Sequence, residues 1–145
     1  MPFVHLVPLD RYNWEKLLDL QISPDQQAFL PSTLYSLAQS KFEDLTPLAI
    51  MADEQLVGYV MYGEFGGICW ITRIVIDHEF QRQGLGRAAL EELLHQLQRN
   101  IRCKEIRTSH APSNYAAEAF FESLGFEPVA QPLENEVVRV WVGLG

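Results

Sequence analysis

Two glycines, Gly84 and Gly86, stand between an apolar run that ends at Ile76 and a leucine-bearing run that follows them. Strand-like residues before and helical periodicity after place them at the turn from a strand into a helix. The first turn of a helix leaves backbone N–H groups without partners, and the macrodipole puts partial positive charge there. Glycines let a backbone approach an anion closely and accept positive φ. Gln81, Arg82 and Arg87 flank the turn, and the arginines can add charge to phosphate binding. The loop Gln81-Arg82-Gln83-Gly84-Leu85-Gly86 therefore predicts an anion site, and a pyrophosphate suits it best.

Two other phosphate loops compete for this segment. The nucleoside-triphosphate loop needs G-x-x-x-x-G-K-S/T, and no lysine or hydroxyl follows Gly86. The dinucleotide fingerprint G-x-G-x-x-G/A is met by Gly84, Gly86 and Ala89, with Glu105 roughly 20 residues on. That fold puts its glycine turn after the first of several parallel strands. Here antiparallel-looking strands come first, and only about sixty residues follow, too few for a doubly wound sheet.

The elements that must position this loop can be read from periodicity. Phe3 to Val7 reads as an opening strand, and Arg11 to Leu20 as a helix capped by Asp10. Gln21 to Pro31 is a loop or short helix. Ser32 to Phe42 is a second helix with Leu34, Leu37 and Ala38 on one side. Leu48 to Ala52, Leu56 to Tyr62 and Ile68 to Ile76 are strands with links too short for crossovers, so they are antiparallel neighbours. After the loop, Leu90, Leu93, Leu94, Leu97 and Ile101 share one helical face. Cys103 to Ser109 is a strand, and a right-handed crossover makes it parallel to the strand before the loop. Ser113 or Asn114 caps a further helix faced by Ala117, Phe120, Phe121 and Leu124, and Gly125 stops it. Glu136 to Val142 closes the sheet. The expected class is α/β of the mixed α+β kind: a single domain over 1–145 with a central mixed, mostly antiparallel sheet of about six to seven strands and helices on both faces.

The loop and the segment after it resemble a known family. Gln81-x-x-Gly84-x-Gly86 is similar to the Q/R-x-x-G-x-G/A signature of the GNAT superfamily of acyl-CoA N-acyltransferases. Asn114-x-x-Ala117-x-x-x-Phe121-x-x-x-Gly125-Phe126 resembles that family's N-x-x-A-x-x-x-Y-x-x-x-G-F segment. The resemblance is strongest over 56–128. It implies a cleft for acetyl-CoA, opened by a splay between the strand Trp70 to Asp77 and the strand Cys103 to Ser109. It implies that the backbone of Ile74, Val75 and Ile76 pairs with the pantetheine arm. It also implies that the N–H groups from Arg82 to Arg87 (Gln83, Gly84, Leu85 and Gly86 between them) hold the pyrophosphate, with Asn114 near the cofactor.

The implied reaction is direct transfer of an acetyl group from acetyl-CoA to a primary amine. It needs a base for the amine and a donor to the thioester carbonyl. Glu64 is the candidate base, and the backbone N–H of Val75 the candidate donor. Tyrosine is common in the family where Phe121 stands, as the acid for the departing sulfur. A thiol of pKa ≈ 8.5 leaves tolerably without one, so a packing role at the sulfur end of the cofactor is assigned to Phe121. A non-catalytic acyl-CoA-binding module is the alternative that Phe121 raises. Met61-Tyr62-Gly63 and Trp70-x-x-Arg73-x-x-Ile76-Asp77 look similar to the polyamine (spermidine/spermine) branch. Aminoglycoside-like cations and protein amines stay open as acceptors. Arg73 itself reads as a structural arginine paired with a carboxylate.

Composition agrees with these expectations. Apolar residues make up 48% of the 145 and charged residues 21%, as in a globular domain. The formal net charge of −8 argues against nucleic acid and mildly favours a cationic partner, in keeping with the small-molecule amine that the resemblance implies. No apolar stretch reaches the ~18 residues of a membrane span, and no signal peptide is read at the start, so a cytoplasmic protein without membrane contact is expected. Analogy with the family extends to a homodimer. Cys69 and Cys103 are expected as buried, reduced thiols, and none of His5, His78, His95 and His110 has the spacing of a metal site.

Overall fold

The computed structural model describes residues 2–130 and 135–143. Its strands are β1 (Val4–Pro8), β2 (Thr46–Ala52), β3 (Gln55–Phe65), β4 (Ile68–Ile76), β5 (Glu105–His110), β6 (Phe126–Pro128) and β7 (Val137–Trp141). They form one sheet in the order β1-β2-β3-β4-β5-β7-β6. Only the β4–β5 pair is parallel. This is the mixed, mostly antiparallel sheet expected, with β7 inserted between β5 and β6. The three-residue β6 is too short to show an alternation and was not legible in the sequence.

Helices cover both faces. On one, α3 (Leu85–Gln98) buries Leu85, Leu90, Leu93, Leu94 and Leu97 against the sheet, joined by Phe121 and Leu124 from α4 (Tyr115–Ser123) and its end. Each such leucine contributes about 2 kcal/mol. The opposite face carries α1 (Pro24–Gln27), α2 (Thr33–Phe42) and a 3-10 turn (Trp14–Asp19), packed through Leu17, Leu20, Leu30 and Leu37 onto Ala49, Tyr59 and Val75.

Three expectations need correction. Arg11 to Leu20 is not an α-helix capped by Asp10. The Asp10 carboxylate accepts from the N–H groups of Tyr12 and Asn13 at 2.8 and 3.0 Å, closing a turn that leaves only the 3-10 segment. Ile101 is 85% exposed, because α3 ends at Gln98 and Asn100 turns the chain by accepting from the Arg102 N–H. In α2 the buried residues are Thr33 and Ser36, whereas Leu34 is 60% exposed. The sheet presents polar groups there, the Tyr59 hydroxyl and the Arg73 guanidinium, and Ser36 is laid on them.

Two irregularities shape the centre. A bulge in the β3–β4 ladder pairs Tyr62 with Ile71 and Met61 with Arg73, leaving Thr72 as the extra residue. On its other edge β4 pairs with β5 over Ile68–Ile71 and Glu105–Thr108 alone. Beyond that point the two parallel strands separate, and a splayed cleft opens.

Candidate functional site

The cleft between β4 and β5 has a volume of about 780 Å³. Its near wall is the unpaired edge of β4. The Asp77 N–H donates to the Val57 carbonyl at 2.8 Å, which fixes the alternation in this half of the strand. Asp77, Val75 and Arg73 turn their backbone groups to β3, and Ile74 and Ile76 turn theirs to the cleft. The Ile76 carbonyl indeed accepts from Gln81 Nε2 at 3.1 Å. Val75 is therefore corrected as a carbonyl donor and as a cofactor contact. Its N–H faces Tyr59, and its side chain is buried on the α2 face. Thr72 causes this, because the bulge shifts the alternation by one residue.

The glycine loop continues that edge. Gly84 is the N-cap of α3 at φ 77°, in the left-handed region, and the Ala88 N–H makes the first bond back to its carbonyl. The N–H groups of Leu85, Gly86 and Arg87 are left without helical partners. A Cβ on Gly86 would meet Ile76 Cγ1 at 3.4 Å, an ordinary contact distance, so the loop lies directly against β4. Arg82 lines the cleft at φ 64°, and Gln83 is exposed. The side chains of Gln81 and Arg87 are committed elsewhere. Gln81 also donates to Gln26 Oε1 at 2.8 Å, tying α1 to the loop. Arg87 bonds Ser123 Oγ at 2.8 Å and pairs with Glu91 at 3.1 Å. Leu85 faces the core.

The site is thus an open strand edge that runs into a glycine-bearing helix N-terminus, beside a parallel pair that splays. The acetyltransferase (GNAT) family model matches residues 14–126. The chain belongs to the acetyltransferase (GNAT) family. It is 31% identical over 124 residues to the spermine/spermidine N(1)-acetyltransferase of Bacillus subtilis, which covers 79% of this chain and 82% of that one. A Thermus thermophilus acetyltransferase shares the fold at TM-score 0.76 and 20% identity, covering 97% of this chain and 98% of that one. The PaiA N-acetyltransferase of Thermoplasma acidophilum, solved in complex with coenzyme A, shares it at TM-score 0.72 and 14% identity, with 96% and 98% covered. The GNAT chain is an acyl-CoA N-acetyltransferase.

The far wall of the GNAT cleft comes from β5 and α4. Asn114 lines it and caps α4, its Oδ1 accepting from the Ala117 N–H at 3.1 Å. Phe121 lies in the same wall, 6% exposed, stacked on His110 with 6.3 Å between centroids and edge-on to Phe120 and Phe126. Tyr115 lines the mouth and is largely exposed. His110 was not singled out as a site residue in the sequence. Its position at the end of a strand gave no signal, yet its buried ring forms part of this wall.

The structure does not bring Glu64 to the cleft. Glu64 is exposed opposite Cys69, near the start of β4, five residues and roughly 17 Å before Ile74. Asp77 is buried and accepts from the N–H groups of Gln21 and Glu79, both at 2.9 Å, so it holds the turn after β4. Among the described residues, the carboxylates that line the cleft are Asp25 on α1 and Glu136 before β7. Arg73, read as one half of an ion pair, instead donates from Nη1 to two neutral acceptors, Ser36 Oγ at 3.0 Å and Gln39 Oε1 at 2.8 Å.

Cys69 and Cys103 are free thiols, the first buried and the second half-buried. Burial pushes the Cys69 thiol up to about 12, helped by the neighbouring Cys103. A separate hollow of 610 Å³ lies by β1 and the first 3-10 turn, away from the loop. Among the described residues no cluster of metal-ligating side chains occurs, and no helix is long and apolar enough to cross a membrane.

Proposed function

We propose that the GNAT cleft holds acetyl-CoA along the open edge of β4 and passes its acetyl group directly to a primary amine of a small cationic acceptor of the polyamine type. One observation carries the cofactor part: the backbone groups of Ile74 and Ile76 and the partnerless N–H groups of Leu85, Gly86 and Arg87 form one continuous polar strip. An amide-bearing arm that ends in a pyrophosphate has the acceptors and donors to match that strip. Arg82 adds positive charge at the phosphate end.

The chemistry assigned to the chain follows from the same geometry. The Ile74 N–H, in place of that of Val75, donates to the thioester carbonyl and gains strength as charge develops on its oxygen. Phe121 supplies no proton, and the sulfur leaves as a thiolate. Packing by Phe121 against His110 and Phe126 keeps water from that end of the cleft. Asp25 and Glu136 supply negative charge for the distal ammonium groups of the acceptor, and the net charge of −8 draws such cations in. The acceptor class rests on the 31% identity to the spermine/spermidine enzyme.

Thiol release from acetyl-CoA, measured with spermidine, spermine, an aminoglycoside and a peptide amine, tests this reading. Turnover is expected to be fastest with the polyamines. Turnover confined to the peptide or the aminoglycoside would overturn the acceptor class, and none with any amine would overturn transfer itself.

A further inference from the structure

Arg73 is the unexplained charge in the cleft. It sits beside the bulge on β4, half-buried, with its side chain reaching Ser36 and Gln39 of α2, and it is one of the residues that line the cleft. Nη1 is fixed by Ser36 Oγ and Gln39 Oε1. The Ser36 hydroxyl also accepts from the Tyr59 hydroxyl at 3.0 Å and donates to the Ser32 carbonyl at 3.2 Å, so it is fully used. Among the described residues, no carboxylate lies within ion-pair distance of Arg73, and its Nε and Nη2 have no protein acceptor. Burial pulls its pKa below the usual arginine value, while Tyr59, Tyr35 and Glu43 pull it upward. A guanidinium stays charged at neutral pH under such influences. A half-buried cation without a counter-ion is costly to keep. The Ser36–Tyr59–Gln39 frame holds it in place without neutralising it.

The reaction proposed above has an unmet requirement. A primary alkylamine resembles lysine and is protonated about a thousand to one at neutral pH. Only the free base attacks a thioester, and neither Glu64 nor Asp77 is placed to take the proton. We propose that Arg73 makes the acceptor nitrogen nucleophilic: its uncompensated guanidinium disfavours the ammonium form of the amine bound beside Ile74, so the amine gives its proton to water before attack. Like charges within about 4–6 Å lower the pKa of an ammonium in this way. A shift of about two pH units raises the free amine roughly 100-fold. The C–N bond then forms as the C–S bond breaks, the electron pair leaves on sulfur, and the second amine proton goes to the thiolate or to water.

The other groups around the cleft fit this division of labour. Tyr59 on β3 is held protonated by burial. Tyr35 and Glu43 belong to α2 and its end and are exposed. His110 across the cleft has both ring nitrogens engaged, by Ala111 and Arg139. Asp25 and Glu136 lie on covering segments, where they take the remaining positive charge of the acceptor.

This inference rests on the acyl-transfer reading, and its test separates the two. The pH dependence of kcat is measured at saturating amine for the natural chain, Arg73→Met and Arg73→Lys. Two acceptors are used: spermidine, and a trifluoroethylamine that is already unprotonated at neutral pH. With spermidine, Arg73→Met is expected to move the rising limb up by about two pH units and to lower kcat at pH 7 about 100-fold. Arg73→Lys restores the limb, and trifluoroethylamine turnover changes less than about threefold. Acetyl-CoA affinity of Arg73→Met stays unchanged. An unmoved limb, or equal loss with both amines, or loss of acetyl-CoA binding, would overturn the proposal by making Arg73 a structural residue. Abolition of the limb by Glu136→Gln or Asp25→Asn would overturn it in favour of a carboxylate base. Failure of the natural chain to turn over either amine overturns the acyl-transfer reading as well.

Discussion

Arg139 donates from Nε to His110 Nε2 at 2.8 Å, and both side chains are buried. A guanidinium has no acceptor atom, so Nε2 carries no proton, and the proton on Nδ1 is donated to the Ala111 carbonyl at 2.9 Å. Arg139 also donates to the Phe126 carbonyl at 3.2 Å and to Glu122 Oε1 at 3.3 Å. One side chain of β7 thus ties β5, β6 and α4 together behind the wall made by Phe121. Arg139→Met strands His110 Nε2 without a donor and should cost about 3 kcal/mol. The midpoint of urea unfolding at unchanged slope measures it. A loss below about 1 kcal/mol would show that the network is not holding the wall.

Gly84 takes a left-handed backbone at the N-cap of α3, where the proposed pyrophosphate site begins. Gly84→Glu strains one residue by about 1–2 kcal/mol and sets a carboxylate against the phosphates. The variant should stay folded by circular dichroism while its acetyl-CoA affinity, measured by calorimetry, falls at least about tenfold. An unchanged affinity would remove the loop from the site.

The fold was largely legible because the pattern of local residues and the packing agree. The leucine face of α3, the Gly125 stop of α4 at φ 96° and the tight links of β2, β3 and β4 all read directly from sequence. The glycine turn into α3 was legible for the same reason, since Gly84 and Gly86 mark a backbone geometry. What stayed hidden depended on tertiary pairing. No residue type announces the Thr72 bulge, yet it transfers the cleft-facing N–H from Val75 to Ile74. Leu34 and Leu37 gave α2 an apolar face in sequence, but Tyr59 and Arg73, distant along the chain, drew Ser36 inward instead.

Phe121 lies between His110, Phe120 and Phe126 and reaches the cleft wall. Adding a hydroxyl in Phe121→Tyr should leave kcat similar or raise it, by up to the 10²-fold or so that an acid can supply. Steady-state rates at pH 7 measure this. A collapse of activity with intact acetyl-CoA binding would mean that the ring packs where no hydroxyl fits.

The two thiols differ in environment. With the Cys69 thiol pushed up to about 12, its thiolate fraction at pH 8 is about one in 10⁴. Native-state alkylation followed by peptide mass spectrometry should label Cys103 first and leave Cys69 unlabelled until the protein unfolds. Equal labelling of the folded protein would contradict the buried environment of Cys69.

The polar strip from Ile74 to the start of α3 is the central claim, and amide hydrogen exchange resolved by residue tests it most directly. The Val75 amide is already bonded to β3, so it should exchange slowly with or without ligand. On addition of acetyl-CoA, the amides of Ile74, Ile76, Gly86 and Arg87 should slow markedly while Val75 stays as it was. Unchanged exchange at Ile74 and Ile76 in the presence of saturating acetyl-CoA would contradict the account.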